Sequence, residues 1–236
     1  SLLFYAWGEP RFVVFMVIAI VQGYVFGLLA EKYRSERKRA RLCVWGSAVI
    51  GLGLLGYCKY TDFFLSGFNR LTGLSVPLLR LALPVGISFY TFQILSYTVD
   101  VYRGEIGAEK NFLRYALFVS FFPQLVAGPI ERSKNLLQQL DTPKSFDFDR
   151  AREGFVLMLW GYFLKIVLAD RIAIFVDTVY GDIAAFPGWY LIAATVLFAV
   201  QIYCDFGGYS TIAMGAAKIL GIELMENFDA PYLSSS

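Results

Sequence analysis

The sequence predicts an all-α polytopic membrane protein, and three observations support this prediction. Hydrophobic residues make up 57% of the chain and charged residues 17%, with a mean hydropathy of +0.56, whereas soluble domains hold roughly 45–50% apolar and about 25% charged residues. The hydrophobic residues are gathered in runs close to the ~20 residues that cross a bilayer core as a helix. A dense basic segment follows the first run, as is typical of a membrane surface. We therefore expect a single membrane domain over residues 1–236.

The clearest predicted span is Phe12 to Ala30, which contains no charged residue. The loop 31–41 directly after it is strongly basic. By the positive-inside rule this loop is cytoplasmic, and the first span begins outside. Leu42 to Cys58 is predicted as a second span that returns the chain to the outside. Tyr60 to Leu74 is expected to lie in the membrane interface.

The next two apolar stretches contain helix breakers. Leu81 to Val99 is predicted as a third span, in which Pro84 kinks or delays the helix. Phe112 to Ile130 is a fourth stretch, with two prolines and a glycine in its second half. Broken backbone at membrane depth must be buried in protein or line a wet cavity, so we expect this stretch to re-enter rather than cross.

The second half of the chain is predicted to begin with an exposed polar loop, Glu131 to Glu153, that contains short amphipathic helices. The spans that follow are Gly154 to Ala169, continued weakly by Ile172 to Val179, and Trp189 to Cys204. Asp205 to Gly208 predicts a helix break before Thr211 to Ile222, a half-helix or interfacial segment that is too short to span alone. We expect Lys165 to extend its ammonium group to the membrane interface.

Polar residues inside the third and fourth stretches are candidate substrate-channel residues. Gln93, Tyr97 and Asp100 are spaced to share one face of a helix. A polar stripe of this kind either faces a cavity or bonds neighbouring helices. Gln124 lies beside the proline break, which marks either a pathway or a re-entrant turn without a ligand.

Two further candidates, Asp205 and Tyr209, follow the predicted span Trp189 to Cys204. An ionisable residue at the edge of a membrane helix indicates a functional role, but the Asp205 carboxylate could instead cap the following half-helix. We predict that Asp205 and Gln93 face one water-accessible cavity enclosed by the broken segments.

Several kinds of chemistry are excluded or disfavoured by composition. The chain has no histidine, so no imidazole from it takes part in a reaction. Its three cysteines lack the CxxC spacing of a metal or redox site, so no metal is predicted. The net charge of +2 is too small to indicate binding to nucleic acid.

Five segments occur in an order that is informative: SLLFYAWGEPRF, PVGISFYTFQILSYTVDVYRG, FFPQLVAGPIERSKNLLQQL, CDFGGYSTIAMGAAKILGI and ENFDAPYLSSS. They resemble the membrane-bound O-acyltransferase family, and within it the alginate-type bacterial branch. The resemblance implies a ring of tilted and broken transmembrane helices around a funnel, with acyl transfer at mid-membrane. It also implies a bacterial inner (cytoplasmic) membrane location.

The resemblance further implies the reaction and its participants. An activated acyl donor of unknown identity serves as co-substrate from the cytoplasmic side, with no bound cofactor. In the alginate-type branch, the acetyl group passes to hydroxyls of an extracytoplasmic polysaccharide such as alginate. The implied partners are membrane lipid, the polysaccharide acceptor and accessory acetylation proteins, with no nucleic acid.

In the family that the chain resembles, the catalytic histidine lies in a motif that follows the segment matched by Asn227 to Ser236, and a hydrophobic helix precedes the first matched segment. The chain is therefore expected to be the N-terminal half of a longer protein, to hold no catalytic residue and to be inactive alone. Two other functions stay open: a transporter or channel-like protein, and a structural membrane component of a synthase complex. The lack of a visible inverted repeat, and charges at span ends rather than in a relay, favour the acyltransferase.

Overall fold

The computed structural model describes residues 1–8, 10–125, 128–129, 131–228 and 232. Helices account for most of these residues, and the described part of the chain contains no β-strand. The chain divides into two compact units, Ser1–Val126 with Glu131–Asp141 and Ala127–Ile130 with Thr142–Ser236. The all-α prediction is confirmed, whereas the single domain, the ring and the funnel stay predictions.

The described helices of the first unit are α1 (Leu2–Gly8), α2 (Val13–Lys32), α3 (Arg37–Thr72), α4 (Ile87–Arg103), α5 (Phe112–Val119), α6 (Phe122–Leu125) and α7 (Ser133–Asp141). Both α2 and α3 are long and apolar enough to cross a membrane, which confirms the predicted first span. Helices α2, α3 and α4 contact one another. Gly27 of α2 makes room for an aromatic ring, because a Cβ there would lie 2.6 Å from the ring of Tyr97.

Helix α3 is one helix of 36 residues, so the predicted division into a span and a separate interfacial segment is wrong. No proline occurs between Cys58 and Thr72, and the single glycine there is tolerated at a modest cost, so the helical hydrogen bonds continue. The helix ends at Gly73, which adopts φ +71° and donates its N–H to the carbonyl of Asn69 at 2.9 Å. Glycine favours this left-handed cap because it has no Cβ.

Two polar side chains of α3 fasten the loop that follows it. The Asp62 carboxylate accepts the N–H groups of Leu79 and Arg80, both at 2.8 Å. Asn69 accepts the N–H of Val76 at 3.0 Å and donates to its carbonyl at 2.8 Å. These bonds satisfy backbone groups that an extended loop would otherwise leave without protein partners.

Helix α4 begins only after Pro84 and Gly86, the delay that the proline predicts, so residues 81–86 of the predicted third span are not helical. Gly86 adopts φ +74°, and a side chain there would overlap the carbonyl oxygen of Leu125. At the other end, Arg34 of the basic loop donates its Nη2 group to the carbonyls of Val101 and Ile106, both at 2.9 Å. The arginine thereby ties the last turn of α4 to the segment that follows it.

The fourth apolar stretch is interrupted, as predicted. Helix α5 has 8 residues, about 12 Å of helix, and cannot cross a bilayer. Pro123 is the second residue of the 4-residue α6, within the first turn where proline is tolerated. Gly128 and Pro129 lie outside helices. Residues 126, 127 and 130 are outside the described residues, so the re-entrant course stays a prediction.

The described helices of the second unit are α8 (Phe148–Tyr162), a π-helix (Phe163–Ala169), α9 (Asp170–Gly181), a 3₁₀ turn (Ile183–Ala185) and α10 (Gly188–Ile219). The first three run on without interruption and include the predicted fifth span. Asp147 caps α8 by accepting the N–H of Arg150 at 3.0 Å, and this backbone hydrogen bond holds the pKa of the Asp147 carboxyl below its usual value.

The predicted helix break at Asp205 to Gly208 is wrong. Helix α10 is continuous over 32 residues, so the half-helix is its second part and Asp205 is not an N-cap. The physical reason is packing against α8. A Cβ at Gly208 would lie 2.9 Å from the carbonyl oxygen of Gly161, and one at Gly215 would overlap the carbonyl of Gly154. These glycines let two backbones meet, which offsets their low helix propensity.

Candidate functional site

The predicted polar stripe of α4 is hydrogen-bonded within the first unit. Gln93, which is 7% exposed, donates its Nε2 to the carbonyl of Phe118 at 3.1 Å. Tyr97 is fully buried, and its hydroxyl accepts the N–H of Glu109 at 2.8 Å. Gln93 thus satisfies a carbonyl near the end of α5, and Tyr97 anchors the loop before it. These contacts are the interhelical bonding that the sequence left open, and a channel-lining role stays a prediction.

Asp100, the third member of the stripe, adjoins a polar cleft. Its Oδ2 accepts the hydroxyl of Ser133 at 2.7 Å, and Ser133 lines a cavity of about 510 Å³ between residues 105–114 and α7. The guanidinium group of Arg114 spans this cleft, and it lies 3.4 Å from the carboxylate of Glu109 and 2.6 Å from that of Asp141. Charges of both signs therefore alternate around the opening, which disfavours it as a site for a highly charged anion.

Gln124 lies in α6 and is 4% exposed. Its Oε1 is buried and has no hydrogen-bond partner among the described residues. Neighbouring contacts hold this break in place, since Phe4 of α1 packs on Phe122 with ring centroids 5.4 Å apart. A buried carbonyl oxygen without a donor is costly, so Gln124 stays a candidate for contact with a polar ligand or water.

The second unit brings Asp205 and Tyr209 together around Lys165. The Lys165 ammonium lies 2.6 Å from Asp205 Oδ1 and 2.7 Å from Asp170 Oδ1, and it sits 5.3 Å from the centre of the Tyr209 ring. Two carboxylates and an aromatic face stabilise one cation. The charge of Lys165 is thus paired with α10, and its predicted extension to the membrane interface stays a prediction.

This charge cluster, Lys165 with Asp170 and Asp205, lies far from both ends of α10. Asp205 is 13 positions from Lys218, about 20 Å along the helix, and 16 positions from Trp189, about 24 Å. A hydrocarbon core of ~30 Å centred on the helix would include it. Lys165 belongs to the π-helix, a form that recurs at functional sites because it places an extra residue on one face.

Lys165 was not predicted as a member of the site. Its signal was present, since an ionisable residue within a membrane run needs a partner of opposite charge. The partner Asp205 is 40 positions away, and only the packing of the π-helix on α10 shows the pairing. Gln93 and Asp205 belong to different units, so their shared cavity stays a prediction.

The composition of the charge cluster limits the chemistry that it can perform. Among the residues that the structure describes, no group of Cys, Asp and Glu side chains could hold a metal ion. The charge cluster combines two carboxylates with an ammonium that already bridges them, which suits an electrostatic tie between helices. It does not form a nucleophile and base pair of the kind that attacks a carbonyl.

Comparison with known proteins decides the family. The model of the MBOAT, membrane-bound O-acyltransferase family, matches residues 103–233, more than half of the chain. The chain belongs to the membrane-bound O-acyltransferase family. Together with α2, α3 and α10, which are long and apolar enough to span a bilayer, this membership makes the chain an integral membrane protein.

Relatives of this chain are named for the transfer of different groups. The chain is 34% identical over its whole length to the probable alginate O-acetylase AlgI of Pseudomonas syringae pv. tomato, covering 46% of that protein. It is 31% identical over 98% of its length to the peptidoglycan O-acetyltransferase of Helicobacter pylori, covering 49%. It is 25% identical over 89% of its length to the teichoic acid D-alanyltransferase of Lacticaseibacillus rhamnosus, covering 53%. The chain thus spans about half the length of these relatives.

Proposed function

We propose that the protein containing this chain transfers an acetyl group from an activated donor to hydroxyl groups of an extracytoplasmic polysaccharide, with alginate as the first candidate. The observation that carries the proposal is the 34% identity over the whole chain to alginate O-acetylases. The relative named for peptidoglycan makes a second polymer an outcome of the test. Accessory acetylation proteins and membrane lipid are proposed partners.

The proposed reaction needs a base as well as a donor. Acyl transfer to a hydroxyl requires that its proton be taken as the new ester bond forms. The 236 residues contain no histidine, and the aspartates of the charge cluster are paired with Lys165. We therefore assign the proton acceptor to no residue of this chain, and we assign these helices the binding and positioning of the reactants.

The proposal is tested with the full-length gene product in an alginate-producing bacterium that lacks its own acetylase. We expect acetate to be released from purified alginate by mild base, because O-acetyl esters are base-labile. Peptidoglycan from the same cells is analysed in parallel. Acetate on neither polymer, despite protein in the membrane fraction, would refute the proposal. Acetate on peptidoglycan alone would refute the choice of alginate.

The proposed topology has a test of its own. We propose that loop 31–41 faces the cytoplasm of the inner membrane, on the strength of its basic residues. Ser35 is exposed at its tip, so Ser35→Cys, with the native cysteines replaced, should react with a membrane-impermeant maleimide only after the cells are opened. Equal labelling in intact cells would overturn this orientation.

A further inference from the structure

A second cavity in the second unit belongs to none of the groups described above. It holds about 280 Å³ between α8, the π-helix, α10 and the segment 226–228. Its apolar wall consists of Leu157, Trp160, Leu164, Tyr203, Met214 and Phe228. On each helix the lining residues are three, four or seven positions apart in the sequence. Each helix therefore presents one face to the cavity. The space is therefore a product of helix packing and not of a surface loop.

One buried hydroxyl group marks the polar side of this cavity. Ser210 lines it and is 2% exposed. Its Oγ accepts a hydrogen bond from Nδ2 of Asn227 at 3.3 Å, and no acceptor among the described residues takes its own proton. Thr211 differs, because its hydroxyl already donates to the carbonyl of Gly207 at 2.8 Å. A buried donor without an acceptor costs free energy, so Ser210 is available to donate to a ligand.

Aromatic contacts hold the segment that closes the cavity. The ring of Phe228 meets Phe206 and Tyr203 edge-on, with centroids 5.2 and 6.0 Å apart. The Tyr232 hydroxyl donates to the carbonyl of Ala199 at 2.6 Å. The cavity wall is thus fixed before any ligand enters, which lowers the cost of ordering it on binding.

The lining also restricts the charge of a ligand. Glu226 lines the cavity, and no lysine or arginine of the described residues does. A carboxylate beside an apolar wall repels phosphate and other anions. A neutral molecule with a short apolar part and one hydrogen-bond acceptor fits best, since the wall covers the apolar part and Ser210 reaches the acceptor.

We propose that this cavity binds the acyl group of the donor, with the Ser210 hydroxyl donating a hydrogen bond to the acyl carbonyl oxygen. The inference rests on the proposed acyltransferase function and adds to it the place where a small, neutral acyl ester or thioester is held. The family match and the relatives' names assign no residue to such a site.

Gly207 provides a way to fill the cavity without disturbing the helices. A Cβ at Gly207 would meet only the rings of Tyr203 and Phe228, at 3.8 and 4.0 Å, which is ordinary contact. At the adjacent Gly208 a Cβ would lie 2.9 Å from a backbone carbonyl. Gly207→Ala and Gly207→Val therefore project into the cavity while the α8–α10 contact remains. Gly188→Val is the matched control, because nothing lies within 4 Å of a Cβ at Gly188 in the same helix.

The first experiment measures access to the cavity without reference to catalysis. In the full-length membrane protein with its native cysteines replaced, Ser210→Cys is treated with methyl and propyl methanethiosulfonate, and labelling is followed by mass spectrometry. We expect both reagents to react, S-acetyl-N-acetylcysteamine to slow them, and Gly207→Val to slow labelling by about tenfold because its methyl groups occupy the space. A Ser210→Cys protein that reacts with neither reagent, or equal rates with Gly207→Val and Gly188→Val, would overturn the proposal.

The second experiment uses the acetate assay in cells, where the natural donor is present. We expect Ser210→Ala to lower acetate transfer by about tenfold, the effect of losing one hydrogen bond, and Gly207→Val to lower it further, while Gly188→Val matches wild type. Gly207→Ala is the milder variant if Gly207→Val accumulates poorly. Absence of transfer by wild type would refute the proposed function and leave the labelling result decisive for the cavity. Wild-type transfer by the Gly207 and Ser210 variants would refute the acyl site alone.

Discussion

A methyl group at Gly161 has no space to occupy, and this yields a sharp test of how the second unit is built. Helices α8 and α10 approach at Gly161, where an added Cβ would lie 2.7 Å from the carbonyl oxygen of Gly208 and 2.8 Å from the amide nitrogen of Ile212. Both contacts are with backbone atoms, so no rotamer change relieves them. Gly161→Ala must therefore separate the helices locally, by the several tenths of an ångström that restore ordinary contact.

The cost follows from two opposing terms. Forcing an extra methyl group into a close-packed contact destabilises a protein by about 1–3 kcal/mol. Replacing glycine by alanine inside a free helix stabilises it by about 0.5–1 kcal/mol. Gly53→Ala in α3 shows the second term alone, because nothing lies within 4 Å of a Cβ at Gly53. The helix-propensity gain is common to both variants, so their free energies of unfolding should differ by the overpacking term alone, about 1–3 kcal/mol, with Gly161→Ala the less stable.

Unfolding is measured by titrating the purified protein with SDS in mixed micelles and following helix content by circular dichroism. Wild type, Gly161→Ala and Gly53→Ala are compared at the same protein concentration. If Gly161→Ala unfolds at the same SDS fraction as Gly53→Ala, the close backbone contact between α8 and α10 does not exist in the protein.

Three further outcomes are expected. Lys165→Met should destabilise the protein because it leaves two carboxylates unpaired, and adding Asp205→Asn should restore part of the lost stability. The coupling free energy between the two substitutions should be about 0.5–3 kcal/mol in the same SDS titration. Additive effects of the two substitutions would contradict the ion pair. Gln93→Leu should cost about 1–3 kcal/mol because the carbonyl of Phe118 loses its buried donor, and wild-type stability would argue against that bond. The pKa of Asp147 is lowered in the folded state, so its cap stabilises α8 above the unfolded pKa and is lost as pH falls through the folded value. Amide exchange in the first turn of α8 should show that loss in wild type but not in Asp147→Asn, which caps at every pH.

Local chemistry made part of this fold predictable. Helix α2 follows from an uninterrupted apolar run, and the late start of α4 follows from Pro84, because proline acts on its own chain neighbours. The interruption after α5 has the same origin. These signals need no knowledge of what packs against the segment, so the sequence alone carries them.

Features that depend on a packing partner were not predictable in the same way. Gly207 and Gly208 have low helix propensity and predicted a break, yet α10 continues because Gly208 faces the backbone of α8. The role of Lys165 depends on Asp205, and the availability of Ser210 depends on a cavity that several segments enclose. The sequence indicated residues 201–210 as a functional segment but did not show which of them line the same cavity.

The length of α3 has a consequence for the course of the chain. At 36 residues it measures about 54 Å. Even at a tilt of about 40°, the upper end for transmembrane helices, its projection on the membrane normal is about 41 Å, which exceeds the ~30 Å thickness of the hydrocarbon core. We expect the basic residues of its first turn to lie at the lipid headgroups, which would leave the surplus length near Thr72. In that position the loop that Asp62 and Asn69 fasten to α3 would lie outside the hydrocarbon core, where water can hydrate the peptide groups that have no partner in the protein.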